Sequence, residues 1–130
     1  MNVVVRNNNA IIVASQNGHL NIVKLLIENG ADINAGGGWP IICASQGGYL
    51  LVVKLLIELG ANVQALNNQA IINASYNGYQ DVVKLLIESG ANIGAQNNKA
   101  FWCATRNKHS DIIELLKNID KNANSIEGGH

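Results

Sequence analysis

A five-residue segment that returns every 30 residues constrains this chain more than any other feature. Residues 24–28 read Lys-Leu-Leu-Ile-Glu, and the same five residues return at 54–58 and 84–88. A repeat of this length indicates a solenoid or array rather than a single globular core. Each unit alone is too small to bury its apolar residues. Neighbouring units must therefore stack and share one elongated core.

Each unit predicts a pair of helices. In the first unit, residues 10–16 combine an isoleucine pair with Ala and Ser, and residues 20–28 place apolar residues at helical spacing. Pro40 indicates where the second unit begins its first helix, because proline is tolerated at the first helical position and hardly anywhere else in a helix. We expect one leucine of each unit to lie in a continuous interior. These leucines are Leu25, Leu55, Leu85 and Leu115.

The period also divides the chain into domains. We predict a lead-in over residues 1–9, a repeat domain over residues 10–124, and a remnant of cloning over residues 125–130. The repeats span about residues 10–39, 40–69, 70–99 and 100–124. Residues 6–9 align with residues 36–39, 66–69 and 96–99, and we expect all four stretches to be loops between units.

Charge and composition argue against several function classes. Nine Lys and Arg balance nine Asp and Glu, and the charges are spread over all units. We expect no nucleic-acid partner, which would require a basic stripe. Apolar windows fall short of the roughly 20 residues of a membrane span, and the N terminus lacks the pattern of a secretory signal. We therefore expect no membrane partner and an intracellular, cytoplasmic location.

The two cysteines are expected to be free thiols. Cys43 and Cys103 occupy the same position in the second and fourth units. If helices of neighbouring units pack about 10 Å apart, the two sulfurs are on the order of 20 Å apart, which is beyond the reach of a disulfide. Free thiols fit a reducing compartment.

Residues 18–35 resemble the second half of an ankyrin repeat. They read Gly-His-Leu-Asn-Ile-Val-Lys-Leu-Leu-Ile-Glu-Asn-Gly-Ala-Asp-Ile-Asn-Ala, and the resemblance extends over residues 10–119. It implies an all-α, ankyrin-type solenoid of four stacked helix-turn-helix repeats joined by short loops. It also implies a non-enzymatic module that binds a protein partner through the inter-repeat loops and the exposed faces of the first helices.

Two departures from the ankyrin pattern modify this expectation. The period is 30 residues instead of the usual 33, and only Pro40 remains of the polar half of the family's Thr-Pro-Leu-His box. We therefore expect tight loops and little or no β-sheet. The short unit, rich in Asn and Ile, is similar to ankyrin arrays of giant amoebal viruses and some protists. The near-identical units equally allow an engineered or consensus-derived scaffold with no natural partner.

The resemblance identifies candidate binding residues as the positions that vary between units on the exposed side of the first helices. Trp, Tyr and Arg are the residues most often found as interface hot spots. The alternative for Trp39 is packing over a neighbouring loop, and for Trp102 it is filling the last interface. The candidate protein-binding residues are Trp39, Cys43, Gln46, Gln69, Asn73, Tyr76, Lys99, Trp102 and Arg106.

No other chemistry is indicated strongly by the sequence. Asn34 resembles the acceptor of asparaginyl hydroxylases that act on ankyrin repeats. A small thiol enzyme or hydrolase is the alternative of another class, but neither cysteine has a sequence-near histidine as its base. His19 and His109 share one repeat position and are expected to be structural. We expect no catalytic residue, cofactor or metal.

Two surfaces are candidates for self-association. The first unit keeps all its apolar residues, so we expect an uncapped N-terminal end beyond Val3, Val4 and Val5. Leu51 and Leu59 replace residues that are polar in the first and third units, and they form a second candidate patch. Lys117 and Asp120 are polar replacements in the fourth unit, which we interpret as a C-terminal cap.

Overall fold

The computed structural model describes the backbone of residues 3–128 and the side chains of residues 6–119. This described part contains eight α-helices, one short 3-10 turn and no strand, so the predicted all-α fold is confirmed. The 3-10 turn is Ala35–Gly37. The helices are α1 Val3–Gln16, α2 Leu20–Glu28, α3 Trp39–Gly47, α4 Leu50–Glu58, α5 Ala65–Asn77, α6 Gln80–Glu88, α7 Ala95–Arg106 and α8 Ser110–Gly128.

The helices form two layers of four. In one layer α1, α3, α5 and α7 contact one another in that order, and in the other α2, α4, α6 and α8 do the same. Each first helix also packs on the second helix of its own unit. This arrangement confirms the predicted solenoid of stacked helix pairs, because every unit contacts only its neighbours.

The predicted helix boundaries agree with the structure at the second helices and at α3. The segment at 20–28 is helical over those residues, and α3 begins at Trp39, one residue before Pro40. The α3 helix closes at Gly48, whose φ of 73° is left-handed. A residue without Cβ adopts this conformation at little cost, which is why glycine closes so many helices.

The core runs the length of the stack, but one predicted row is wrong. Leu25 is 57% exposed, and its three equivalents are half-buried at the edge of the core. On a helix with 100° per residue, Leu25 lies away from Val23 and Leu26, which face the first helices. The large side chains that are fully buried are isoleucines of α1, α3 and α5 and valine, leucine or isoleucine residues of the second helices: Ile11, Ile41, Ile42, Ile71, Val23, Val52, Val53, Leu56, Val82, Val83, Leu86 and Ile112.

The lead-in is also not a loop. Residues 6–9 lie inside α1, whereas the later junctions each contain three consecutive residues with left-handed φ. Two of these turns have ordinary side chains, at Leu66, Asn67 and Asn68 and at Gln96, Asn97 and Asn98, and the first junction has Gly36, Gly37 and Gly38. Glycine adopts this conformation at little cost and asparagine tolerates it, which accounts for the Gly and Asn residues of these stretches, whereas Leu66 and Gln96 adopt it at a cost.

Asparagine amides tie each unit to the next. The Asn8 Oδ1 accepts a hydrogen bond from the Asp32 backbone N at 2.7 Å, and the Asn68 Oδ1 accepts one from the Asn92 N at 2.8 Å. The corresponding residue at the junction between the first and second units is Gly38, which has no side-chain amide. There the Asn34 Oδ1 accepts from the backbone N of Asn62 at 3.0 Å instead. The Asn34 and Asn68 bonds join neighbouring units, and the Asn8 bond joins the lead-in to the first unit.

An aromatic ring at the start of each second helix covers a glycine of the preceding unit. A Cβ added to Gly48 would lie 2.6 Å from the Tyr79 ring, and one added to Gly78 would lie 2.6 Å from the His109 ring. The structural role predicted for His109 is thus supported by its packing. The side chains of Val3, Val4, Val5 and Asp120, and part of the segment predicted as a cloning remnant, lie outside the described residues.

Candidate protein-binding groove

The exposed faces of α3, α5 and α7 form two adjoining hollows, which together we call the groove. The first hollow lies mainly between α5 and α7 and has a volume of about 420 Å³. The second lies over the exposed face of α7, with Tyr76 of α5 at its border, and has a volume of about 530 Å³. Tyr76, Lys99, Cys103 and Arg106 border both hollows. The two hollows therefore form one continuous surface of about 20 Å or less along the stack, since neighbouring helices pack 8–10 Å apart.

Most of the predicted binding residues line this groove. The first hollow is bordered by six of the nine, and Trp102 borders the second. The six are Gln46, Gln69, Asn73, Tyr76, Lys99 and Arg106. They meet because successive first helices carry the same repeat positions side by side, so that residues 30 apart in sequence become neighbours.

Trp39 and Cys43 lie outside both hollows. The Trp39 indole packs over Gly36, where an added Cβ would lie 2.4 Å from the indole Cδ1. This is the loop packing that the sequence offered as the alternative for Trp39. Cys43 is half-buried on α3, and burial raises the pKa of its thiol. A raised pKa keeps the sulfur protonated, which is the opposite of what a nucleophilic thiolate needs.

The groove exposes two aromatic side chains. Tyr76 is 50% exposed and Trp102 is 60% exposed. The Trp102 ring lies edge-on to the Phe101 ring, with the ring centroids 5.2 Å apart. This contact orients Trp102 at the C-terminal edge of the groove, and the same side chain borders a further hollow of about 200 Å³ at the end of the stack.

Hydrogen bonds between units fix the floor of the groove. The Asn77 amide donates to the Gln46 carbonyl at 3.1 Å, and the Asn107 amide donates to the Tyr76 carbonyl at 2.7 Å. A ring nitrogen of His109 lies 2.9 Å from the same Tyr76 carbonyl. These contacts occupy carbonyls at the ends of α3 and α5, so that the groove presents side chains rather than free helix ends.

Four lining residues were not among the candidates predicted from the sequence. They are Ile72, Asn77, Cys103 and Thr105. Cys103 shares the repeat position of Asn73, so the row that identified Asn73 also contained the signal for Cys103. Ile72 is an isoleucine at this repeat position in the first three units, where the fourth unit has Trp102. Its side chain is only 3% exposed, so its sequence context does not separate it from the core.

The charge of the groove is one-sided. Lys99 and Arg106 border it, and no Asp or Glu does. The segments that form α1, α3, α5 and α7 contain no acidic residue at all. The even spread of charge along the sequence therefore hides a segregation between the two helix layers.

The other predicted sites are separate from the groove. Asn34 uses its side-chain oxygen to bond Asn62 and is half-buried. Leu51 on α4 and Leu59, which directly follows α4, are exposed. Both cysteines are free thiols. Within the described residues, no three His, Cys, Asp or Glu side chains come together as metal ligands. No helix of that part combines the length and the apolar character needed to cross a membrane.

Comparison with known families adds one finding to this geometry. The family model described as ankyrin repeats in three copies matches residues 1–67 and again residues 41–125. The two matches overlap and together cover nearly the whole sequence. No curated protein matches the chain.

Proposed function

The chain belongs to the ankyrin-repeat family, and we propose that it is a non-enzymatic module that binds a protein partner through the groove. Ankyrin repeats generally serve as protein–protein interaction modules. The proposal concerns this chain's own surface: the partner contacts the exposed faces of α3, α5 and α7. We propose residues 10–124 as the unit that carries this function, with residues 125–130 as a segment that does not contribute.

The observation that supports the proposal most directly is the clustering of the variable positions. Six of the residues that vary between near-identical units on the exposed side of the first helices border one hollow. Positions that merely tolerate change are expected to scatter over the surface. Variable side chains that meet on a rigid support are the arrangement in which repeat proteins recognise partners.

Tyr76, Trp102 and Arg106 are the proposed hot spots. Each belongs to a residue type enriched among hot spots, and their truncation to alanine typically costs 2 kcal/mol or more of binding free energy when they sit at the centre of an interface. Tyr76 borders both hollows and is therefore the expected centre. Trp39 and Cys43 are proposed to contribute less, because neither lines a hollow.

A variant pair tests the proposed surface. The Tyr76→Ala, Trp102→Ala, Arg106→Ala triple variant should lose the proteins that the parent chain recovers from cell extract. The matched control is Lys24→Ala, Lys54→Ala, Lys84→Ala, which changes three exposed residues of the second helices. The control should recover the same proteins as the parent. Loss in the control with retention in the groove variant would assign binding to the opposite face.

The alternative of another class has its own test. A thiol enzyme or hydrolase would lose turnover when Cys43→Ser and Cys103→Ser are combined, whereas a binding module should keep its partner in this variant. An engineered scaffold without a natural partner would recover no protein that depends on the groove. We propose that the chain acts inside the cell, since two free thiols fit a reducing compartment.

We also propose that the chain associates with itself through its first repeat. Ile22 is 49% exposed, whereas Val52 at the same position of the next repeat is 1% exposed. Leu25 is exposed beside Ile22 on α2. At the opposite end, Phe101, Trp102 and Leu116 border the end hollow, and a second copy seated there would repeat the stacking between units.

Sedimentation over a wide concentration range tests this association. Ile22→Gln with Leu25→Gln should abolish this association, and Leu51→Gln with Leu59→Gln, at α4 and its C-terminal end, should leave it intact. The reverse pattern would assign the association to the Leu51 and Leu59 patch. A parent chain that stays monomeric at all concentrations would contradict association through either surface.

Asn34 remains a proposed hydroxylation acceptor. Its side-chain oxygen already bonds the backbone of Asn62, and a half-buried position limits access by an enzyme. Mass spectrometry of the chain after incubation with an asparaginyl hydroxylase should show a single added oxygen on Asn34, and Asn34→Gln should remove it.

A further inference from the structure

We propose that the partner segment that fills the groove is acidic, with two carboxylates about 10 Å apart that pair with Lys99 and Arg106 on either side of an apolar side chain. This inference rests on the proposed function and adds the chemistry of the partner. It is carried by the placement of charge on the two helix layers and by the position of Lys99 on α7.

The acidic residues avoid the layer that forms the groove. Eight of the nine lie on second helices and the ninth, Asp32, lies in a loop. The eight are Glu28 on α2, Glu58 on α4, Asp81 and Glu88 on α6, and Asp111, Glu114, Asp120 and Glu127 on α8. The first helices carry three cations, Arg6, Lys99 and Arg106. A neutral chain thus presents a purely cationic surface at the groove, which favours an acidic occupant.

The position of Lys99 is not explained by the stability of its helix. The right-handed part of α7 begins at Lys99, because Gln96, Asn97 and Asn98 have left-handed φ. A cation in the first turn opposes the helix dipole and is typically unfavourable by about 0.3–1 kcal/mol. The equivalent residues Trp39 and Gln69 are uncharged. A lysine placed against the dipole at the groove wall is therefore better explained by a ligand than by the fold.

The position of Arg106 also has a structural explanation, and the experiment must distinguish this explanation from binding of the partner. It lies in the last turn of α7, where a cation is favourable for the helix dipole. It also borders both hollows together with Lys99. The pair, rather than Arg106 alone, thus defines the inferred site.

The spacing of the two cations defines a register for the partner. Lys99 and Arg106 are seven residues apart, which is two helical turns and about 10 Å along one face of α7. A polyproline II chain has three residues per turn and rises about 3.1 Å per residue, so residues three apart lie on one side and about 9 Å apart. The partner should therefore carry Asp or Glu at two positions three apart.

The apolar side chain of the partner should rest on Tyr76 and Trp102. Both rings are exposed, and each shares a hollow with Lys99 and Arg106. Aromatic and cationic groups side by side suit a segment in which an apolar residue stands between two carboxylates. Such a segment would bury the rings and pair both charges at once.

A random peptide library displayed on phage and selected against the full chain tests the inference. Selected sequences should be enriched in Asp or Glu three residues apart with an apolar residue between them. A synthetic peptide of the selected pattern, measured by fluorescence anisotropy, should bind about 2- to 30-fold more weakly to the Lys99→Ala, Arg106→Ala variant, as expected for the loss of two exposed ion pairs. High salt should weaken binding to the parent similarly.

The control variant keeps the same change of charge away from the groove. Lys24→Ala with Lys54→Ala also removes two exposed lysines, but from the second helices, and it should bind the peptide like the parent. Equal thermal unfolding of the variants excludes a folding effect. Arg106→Ala alone should leave part of the salt dependence, because Lys99 remains.

The possible results separate this inference from the proposed function. Peptides that lose binding in Tyr76→Ala with Trp102→Ala but show no acidic pattern would overturn the acidic partner and keep the groove as a binding site. Acidic peptides that bind the Lys99→Ala, Arg106→Ala variant as well as the parent would also overturn it. Peptides that never depend on the groove would contradict both proposals.

Discussion

The Asn68 amide is expected to stabilise the junction between the second and third repeats by a measurable amount. Asn68 is 5% exposed, has a left-handed φ of 64°, and accepts the backbone hydrogen of Asn92 at 2.8 Å. Its neighbour Asn67 has nearly the same φ, 59°, but an exposed side chain. Substitutions at these two positions therefore separate the hydrogen bond from the backbone conformation.

The expected changes in the free energy of unfolding follow from two contributions, the hydrogen bond and the left-handed backbone conformation. Replacing Asn68 by glycine keeps the left-handed conformation and removes the hydrogen bond, which costs about 0.5–1.5 kcal/mol of the free energy of unfolding. Replacing it by alanine adds the cost of a left-handed alanine, about 1 kcal/mol. Asn67→Ala should cost only that second contribution, and Asn67→Gly should be close to neutral.

Urea unfolding followed by circular dichroism measures all four variants. The decisive quantity is the difference between Asn68→Gly and Asn67→Gly, which isolates the amide bond and should be about 1 kcal/mol. Equal free energies of unfolding for these two variants would refute the conclusion that asparagine amides tie the repeats together. Asn68→Asp should lie close to the parent, because a carboxylate oxygen can accept the same hydrogen bond.

Three further predictions concern the core and the thiol. Ser45→Ala should raise the free energy of unfolding by about 1 kcal/mol in urea unfolding, since its buried Oγ has no hydrogen-bond partner among the described residues. Gly48→Ala should lower it by about 2–4 kcal/mol, because the new Cβ meets the Tyr79 ring and φ is left-handed; Gly60→Ala, with nothing within 4 Å, should cost less. Burial raises the pKa of Cys43, so the stability that its neutral form contributes is present below the unfolded pKa, about 8.5, and is lost as pH rises above it. Cys43→Ser should remove this loss, and iodoacetamide should modify the folded Cys43 more slowly than free cysteine.

Periodicity was sufficient to predict the helix pairs and their stacking, because the apolar pattern repeats without interruption. It was not sufficient to orient every leucine. Leu25 and Leu26 are adjacent in an apolar run of a second helix, and only the angle at which that helix meets the first layer decides which of them is covered. The junctions were predicted as loops, but their left-handed geometry depends on backbone angles that a short Asn-rich segment does not reveal by pattern alone.

The candidate binding residues likewise include some that the sequence could predict and some that it could not. Those on the first helices, such as Gln46 and Tyr76, could be chosen from variation between units, because the repeat fixes their direction. Trp39 lies at the end of a loop, and its direction depends on Gly36, which leaves room for the indole. The charge segregation does not show in the charge balance of the units, because the two layers separate residues that belong to the same unit.

The asparagine ties explain why the groove can vary without loss of the fold. At the first junction of the solenoid Gly38 replaces the amide residue, and an added Cβ there would lie 2.3 Å from the Ala65 Cβ. The bond is nevertheless kept, because Asn34 supplies the acceptor from another position. The junctions are thus held by side chains behind the groove, and the cores by residues beneath it. The side chains of residues such as Lys99 and Tyr76 take part in neither, so replacing them should change the surface of the groove with little effect on the free energy of unfolding.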